Sequence, residues 1–202
     1  MNQTPITIKG EKMNRKSFVF GVVLVAVLAV PCFSFMGKLS TEELEADAEL
    51  IAVGDVVEKE CRWDEEGKWI YTYVTLVVDE CVKGQVENEV VVRYLGGEVG
   101  KKGLKVGHMP SFREGEEVCV FLREMKTLKT LDNVTDGKMY EVSGLEQGKY
   151  EILTGEADEK LIKNDSLYQE VNVQGITDRE VLPTMPLSEF ISEIRAVMEG
   201  EE

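Results

Sequence analysis

The sequence predicts a mainly β fold, a small Greek-key barrel or sandwich, with an apolar N-terminal helix and an amphipathic C-terminal helix. Three observations lead to this prediction. The first 37 residues combine a basic cluster with a long uncharged stretch. The middle of the chain contains short β-branched and aromatic segments separated by glycine-marked bends. Near the C-terminus, apolar side chains recur at the spacing of one helix face.

Composition narrows the classes of function before any motif is considered. The chain has 202 residues, with 38 acidic and 23 basic side chains and a net charge of −15. A protein this acidic is repelled by phosphate backbones, so we expect no nucleic-acid partner. One His and four Cys leave little material for a zinc site or a catalytic triad. We therefore expect no metal and no cofactor.

Residues 1–37 have the pattern of an export signal or membrane anchor. Residues 17–37 carry no charge and follow a basic cluster, and this run is long enough to span a bilayer as an uncleaved helix. Two fates remain open: the signal is cleaved and the protein is released, or the apolar helix is retained as a membrane anchor. Whether the chain starts at Met1 or at Met13 also remains open. Either fate places the rest of the chain outside the cytoplasm. The cluster consists of Lys9, Lys12, Arg15 and Lys16.

The first elements of residues 38–157 follow from local patterns. Ser40 and Glu43 form a capping-box pair, which predicts a short helix through about Leu50. The segment 50–61 is strand-like, and Gly54 within it is expected to form a bulge. Residues 64–67 predict a turn. The next strand, residues 69–79, has apolar or aromatic side chains on both of its faces, which is typical of a central strand.

The remaining elements are shorter. Residues 96–107 contain five glycines and are expected to form a long mobile loop. Residues 138–143 and 149–153 are expected to pair as a hairpin around a turn at 144–148. Further strands are predicted at 89–95, 118–122 and 169–173.

Residues 158–202 form a tail that ends in a helix at about 186–199. Pro186 suits the first turn of that helix. The apolar stripe is expected to pack on the sheet, and it consists of Leu187, Phe190, Ile191, Ile194 and Val197.

The order of these motifs resembles the OB-like barrel of the netrin-module and tissue-inhibitor-of-metalloproteinases superfamily. It is also similar to uncharacterised exported prokaryotic proteins of the same pattern. The resemblance covers roughly residues 46–153 and implies a small OB-like Greek-key barrel. The motifs that carry it are Ala46-Asp47, the bulged strand 50–57, the strand 71–78, Lys83-Gly84 and the segment 110–122.

The resemblance also implies one alternative function, inhibition of an extracellular metalloprotease. Inhibitors of this family chelate the protease zinc through a mature N-terminal Cys. Cys32 is the residue at the corresponding place, and Ser34 occupies the position of the family's second Cys.

The aromatic residues around one predicted hairpin are the best candidate for a binding surface. Stacking platforms of this kind bind extended ligands on OB barrels, and the acidic charge leaves a protein or a glycan as the partner. The opposing interpretation is that the C-terminal helix covers this face. The candidate residues are Trp63, Trp69, Tyr71 and Tyr73, to which we add His108 of the glycine-rich segment.

The remaining polar residues do not form a catalytic or metal-binding pattern in the sequence. His108 has no orienting partner that the sequence identifies, so a hydrolase is the third and least favoured class. Cys61, Cys81 and Cys119 are interpreted as small buried apolar residues; a Cys81–Cys119 bridge requires adjacent strands. The acidic runs, including 132–137, are interpreted as solvated surface. We expect a monomeric, exported, non-enzymatic binding module.

Overall fold

The computed structural model describes residues 37–86, 88–125, 138–164, 170–173, 176–179 and 184–200. Apart from Gly37, the expected signal or anchor lies outside the described residues, as do Cys32 and the acidic segment 132–137. Within the described ranges, no helix has both the length and the apolar character that a membrane crossing requires.

The described residues contain two α-helices and twelve β-strands. The helices are α1 (Thr41–Asp47) and α2 (Leu187–Glu199), and 3-10 turns occur at Leu145–Gly148 and Glu156–Asp158. The longer strands are β1 (Leu50–Trp63), β2 (Ile70–Lys83), β3 (Glu89–Leu95), β6 (Glu117–Glu124) and β8 (Lys149–Thr154). The shorter ones are β4 (Gly97–Val99), β5 (Lys102–Leu104), β7 (Met139–Val142), β9 (Lys160–Lys163), β10 (Glu170–Val173), β11 (Ile176–Arg179) and β12 (Met185–Pro186).

Five of these strands close into a barrel in the order β1-β2-β3-β7-β6, with β6 pairing back onto β1. The β3–β7 pair is parallel and the other four pairs are antiparallel. The sheet continues outside the barrel from β6 through β8 and β9 to β12. The prediction of a mainly β barrel followed by a C-terminal helix is confirmed.

β1 closes the barrel because it pairs with β2 along its whole length and with β6 along its first half. The bulge expected at Gly54 is present as a register shift between Val53 and Gly54. A side chain at Gly54 would collide with the backbone carbonyl of Val77, so the two strands approach closely here. The capping box is also confirmed, since Ser40 and Glu43 exchange both of its hydrogen bonds at the start of α1.

The core has two parts, and β1 contributes to both because successive side chains point to opposite faces. Leu50 and Ala52 point into the barrel, where they pack with Phe112, Val120 and other apolar side chains. Ile51 and Val53 point outward into a second cluster beneath α1 and α2. The first half of β1 is therefore buried on both faces.

α2 packs in this second cluster. Its ends match the predicted helix to within one residue, although Pro186 is the N-cap rather than a first-turn residue. The Phe190 ring lies 4.8 Å from the Tyr150 ring and 6.3 Å from the Phe121 ring, measured between centroids. Leu187, Ile191 and Ile194 complete the buried stripe.

The hairpin prediction around residues 144–148 is wrong. β7 and β8 do not pair with each other; β7 pairs with the second half of β6 and β8 with the first half. A 3-10 turn lies between them, entered through Gly144 at a φ of 64°. β6 is buried along most of its length, and its long backbone takes two successive partners on one side.

The prediction of one long loop at residues 96–107 also needs correction. Strands β4 and β5 form a small antiparallel hairpin within it. Gly97 lies directly against Cys61 and Thr72, at a φ of 129° that favours glycine. The segment therefore contains an ordered hairpin that packs against the end of the β1–β2 pair.

Candidate binding surface and its neighbouring groove

Three of the five predicted surface residues lie together on the outside of the barrel. In β2, Thr72 and Val74 point into the protein, so Tyr71 and Tyr73 point outward and remain half-buried. Trp69 has the same parity immediately before β2 and is 41% exposed. We call Trp69, Tyr71 and Tyr73 the aromatic face.

Each ring of the aromatic face has a cation near it. The guanidinium carbon of Arg93 lies 4.4 Å from the Tyr71 ring centroid, and that of Arg62 lies 5.4 Å from the Tyr73 centroid. Lys68 Nζ lies 5.4 Å from the Trp69 centroid. These distances fall within the range of cation–π attraction. The two arginine contacts are diagonal in the strand register: Arg62 pairs with Tyr71 but lies over Tyr73, and Arg93 pairs with Tyr73 but lies over Tyr71.

Trp63 does not belong to the aromatic face. It pairs with Ile70, and directly opposed residues in an antiparallel pair point to the same side of the sheet. Ile70 is buried in the other direction. Trp63 instead lies next to the β4–β5 hairpin, where Lys102 Nζ is 5.5 Å from its ring centroid.

His108 lies in the segment after β5 and has a partner that sequence reasoning missed. Its Nδ1 lies 2.8 Å from Glu146 Oε1, and the Glu146 N–H donates to the His108 carbonyl at 3.1 Å. The pair is exposed, with 63% of the His108 side chain accessible. Among the described residues no hydroxyl or thiol is hydrogen-bonded to this imidazole.

The C-terminal helix does not cover the aromatic face. The α2 stripe belongs to the outer cluster that contains Phe121 and Tyr150, and neither Tyr71 nor Tyr73 is part of that cluster. The opposing interpretation of these aromatic residues is therefore incorrect.

A groove of about 370 Å³ adjoins the aromatic face. It lies where β3 and β7 separate, and Tyr71 and Arg93 form part of its wall. Arg93 has no ion pair with any carboxylate of the described residues. The opposite wall carries Arg123 and Glu141, whose Nη2 and Oε1 atoms are 2.7 Å apart. The side-chain hydrogen bond to Glu141 raises the pKa of Arg123.

A second groove of about 360 Å³ lies at the end of the barrel beneath the β4–β5 hairpin. Three of its polar side chains, Lys59, Cys61 and Thr72, have partners within the protein. Thr72 Oγ1 donates to the Gly96 carbonyl at 2.6 Å and lies 3.3 Å from Cys61 Sγ, while Lys59 Nζ donates to the Phe112 carbonyl at 2.9 Å. Burial raises the pKa of the Tyr94 hydroxyl.

All three cysteines of the described residues are free thiols. β1 lies between the strands that carry Cys81 and Cys119, so the adjacency that a bridge between them requires is missing. Cys119 is fully buried, and burial raises its pKa to about 12, which holds it as the neutral thiol. Cys81 is exposed, which corrects the interpretation of every cysteine as a buried apolar residue.

Within the described residues, no group of three or more His, Cys, Asp or Glu side chains could hold a metal ion. Comparison of the chain with protein-family models, curated proteins and solved structures finds no match.

Proposed function

We propose that this chain is an exported, non-enzymatic binding module that recognises a protein partner through the aromatic face and the adjoining groove. The observation that carries the proposal is Arg93, which lies over Tyr71 at the edge of the groove with no carboxylate partner among the described residues. Tyr, Trp and Arg are the residue types that contribute most to protein interfaces. In a chain with a net charge of −15, an arginine with no carboxylate partner among the described residues is suited to an acidic ligand.

We infer that the barrel is OB-like, as the motif order implied. Its support is the five-stranded closure in which β7 lies between β3 and β6, so that the strand order in space departs from the order along the chain. OB barrels bind ligands on the face of their second and third strands. The aromatic face and Arg93 occupy that place on β2 and β3. Kinship with the netrin and metalloproteinase-inhibitor modules stays a prediction, and the inhibitor hypothesis depends on Cys32, outside the described residues.

A protein partner is favoured over a glycan by the cations near the rings. A sugar that stacks on an aromatic side chain needs an open ring face, whereas Arg93 and Arg62 each occupy one face of a tyrosine ring. The Arg93 guanidinium is suited to carboxylates and backbone carbonyls of a protein, which accept hydrogen bonds from its planar fork, whereas Arg62 is already ion-paired with Glu60.

Export is supported by the basic cluster and the uncharged run of the first 37 residues. The partner is therefore expected on the outer side of the membrane. His108 and Glu146 form the exposed pair that the alternative hydrolase hypothesis would use.

The proposal is tested by measuring the affinity of the full chain, purified in detergent, for a partner recovered by crosslinking from intact cells. Tyr73→Ala and Trp69→Ala are expected to weaken binding by about tenfold each, the effect of losing a typical interface aromatic. Trp63→Ala is the matched control on the opposite face and is expected to leave the affinity unchanged. Equal losses from both faces, or displacement of the partner by free oligosaccharide, would overturn the proposal.

A further inference from the structure

The groove beside Tyr71 is a gap between two strands of the barrel. β3 and β7 pair only at Val91 with Met139 and at Val92 with Tyr140. Both strands continue beyond this point, β3 to Leu95 and β7 to Val142. The gap is therefore closed at the Val92–Tyr140 pair and opens toward Leu95 and Val142.

The backbone of β3 that faces this gap can be identified from its pairing with β2. In an antiparallel ladder, the N–H and C=O groups of successive residues point alternately to the two neighbouring strands. The Gly96 N–H donates to the Ile70 carbonyl at 2.8 Å, which assigns the even-numbered residues of β3 to β2. Arg93 and Leu95 therefore direct their backbone groups toward the gap.

The backbone of β7 on the other wall alternates in the same way. The Ser143 N–H donates to the Phe121 carbonyl at 2.9 Å, and the Met125 N–H donates to the Met139 carbonyl at 2.9 Å. The odd-numbered residues of this segment are thus paired with β6, so Val142 directs its backbone groups toward the gap. No described backbone group is paired with the Leu95 or the Val142 N–H in the gap.

Two strand edges that face each other across a groove are suited to an added strand, because an extended peptide can pair with exposed backbone groups. A peptide that enters from the open side must end where β3 and β7 meet. Arg93 is the first residue of β3 beyond that junction, and its side chain lines the groove. A cation at the closed end favours a peptide that ends in a carboxylate over one that ends in an ammonium group.

We propose that the gap between β3 and β7 binds the extended C-terminal segment of a partner protein, with its terminal carboxylate on Arg93. This inference rests on the proposed function and names the part of the partner that the groove takes. Glu141 on the opposite wall is ion-paired with Arg123 at 2.7 Å, and Arg123 also lies 3.2 Å from Asp47, so the cation that remains for the peptide carboxylate is Arg93. The peptide side chains alternate between the barrel interior and the outer aromatic face.

The test uses the full chain, purified in detergent, against a library of random peptides that have free carboxyl termini. Selected peptides are measured by isothermal titration as the free acid and as the C-terminal amide. We expect amidation to weaken binding at least tenfold, and Arg93→Gln to weaken the free acid by a similar factor while leaving the amide unchanged. Arg62→Gln is the matched control, since Arg62 also lies over a tyrosine but does not line the groove.

Amide hydrogen exchange provides a second readout that needs no substitution. Bound peptide is expected to slow exchange of the Leu95 and Val142 amides, because each donates to the added strand, and to leave the Gly100 amide of the β4–β5 turn unchanged. Selection of no peptide, or peptides that bind equally well as amides without protecting Leu95 and Val142, would overturn the inference. If peptides of the second kind bound Tyr73→Ala more weakly than the unchanged protein, the proposed function would still stand.

Discussion

The guanidinium carbon of Arg93 lies 4.4 Å from the centre of the Tyr71 ring, although the two residues are not directly opposite in the β2–β3 register. The contact is diagonal, since Tyr71 pairs with Leu95 and Arg93 pairs with Tyr73. It positions a cation at the edge of the groove without neutralising it. Arg93 thus lies at the border between the aromatic face and the gap between β3 and β7.

Gly97→Ala is expected to destabilise the protein by about 2 kcal/mol or more. The added Cβ would lie 2.5 Å from Thr72 Oγ1 and 2.6 Å from Cys61 Sγ, at a φ of 129° that disfavours side chains. Urea unfolding followed by circular dichroism measures the change. Gly107→Ala is the matched control, because nothing lies within 4 Å of its added Cβ. Equal stability of the two variants would contradict the placement of the β4–β5 hairpin.

Glu116→Ala is expected to lower the free energy of unfolding by about 3 kcal/mol, the cost of leaving a buried charge without its partner. The Glu116 carboxylate is 6% exposed and lies 3.0 Å from Lys149 Nζ, whose side chain is 10% exposed. It also accepts the Arg113 N–H at 2.9 Å. Glu65→Ala in the exposed β1–β2 turn is the control for loss of a surface carboxylate. A loss below about 1 kcal/mol in urea unfolding would show that this pair is solvated.

The buried thiol of Cys119 predicts a loss of stability at alkaline pH. Burial raises its pKa from 9.0 to about 12, so the unfolded chain releases this proton at lower pH than the folded protein. The free energy of unfolding then falls as pH rises above about 9, by up to about 1.4 kcal/mol per pH unit from this group. Cys119→Val is expected to flatten that slope in urea titrations at successive pH values. An unchanged slope would contradict the assigned burial.

Phe190→Ala tests the attachment of α2. The ring packs against Tyr150 and Phe121 and is 3% exposed, so its removal is expected to cost about 3 to 4 kcal/mol. Thermal unfolding monitored by circular dichroism should show a single transition at lower temperature. Ser192→Ala, on the exposed side of the same helix, is the control. A two-step transition would instead mean that α2 melts independently of the barrel.

Features that depend on neighbours along the chain were predictable from the sequence. The capping box of Ser40 and Glu43, the bulge at Gly54 and the apolar stripe of α2 are all local patterns. Local patterns did not predict which strand β7 and β8 pair with, because each of them could pair with the other or with β6. The choice depends on which strand edge the barrel leaves open.

The candidate site also combines residues that the sequence predicted with residues that it did not. The alternation in β2 identified Tyr71 and Tyr73 as neighbours on one face, and the structure agrees. Arg93 and Glu146 carried no sequence signal, because their partners are distant along the chain and meet them only after the barrel has closed. Trp63 was grouped with the other aromatic residues through sequence proximity, but strand parity places it on the opposite face.

Site-specific photocrosslinking in intact cells tests the proposed recognition surface most directly. A benzophenone amino acid is placed at Tyr73 in one variant and at Trp63 in another, and the adducts are compared on denaturing gels. We expect a discrete protein adduct from position 73 and none from position 63. Adducts of equal yield from both positions, or none from position 73 when the protein is exported and folded, would contradict it.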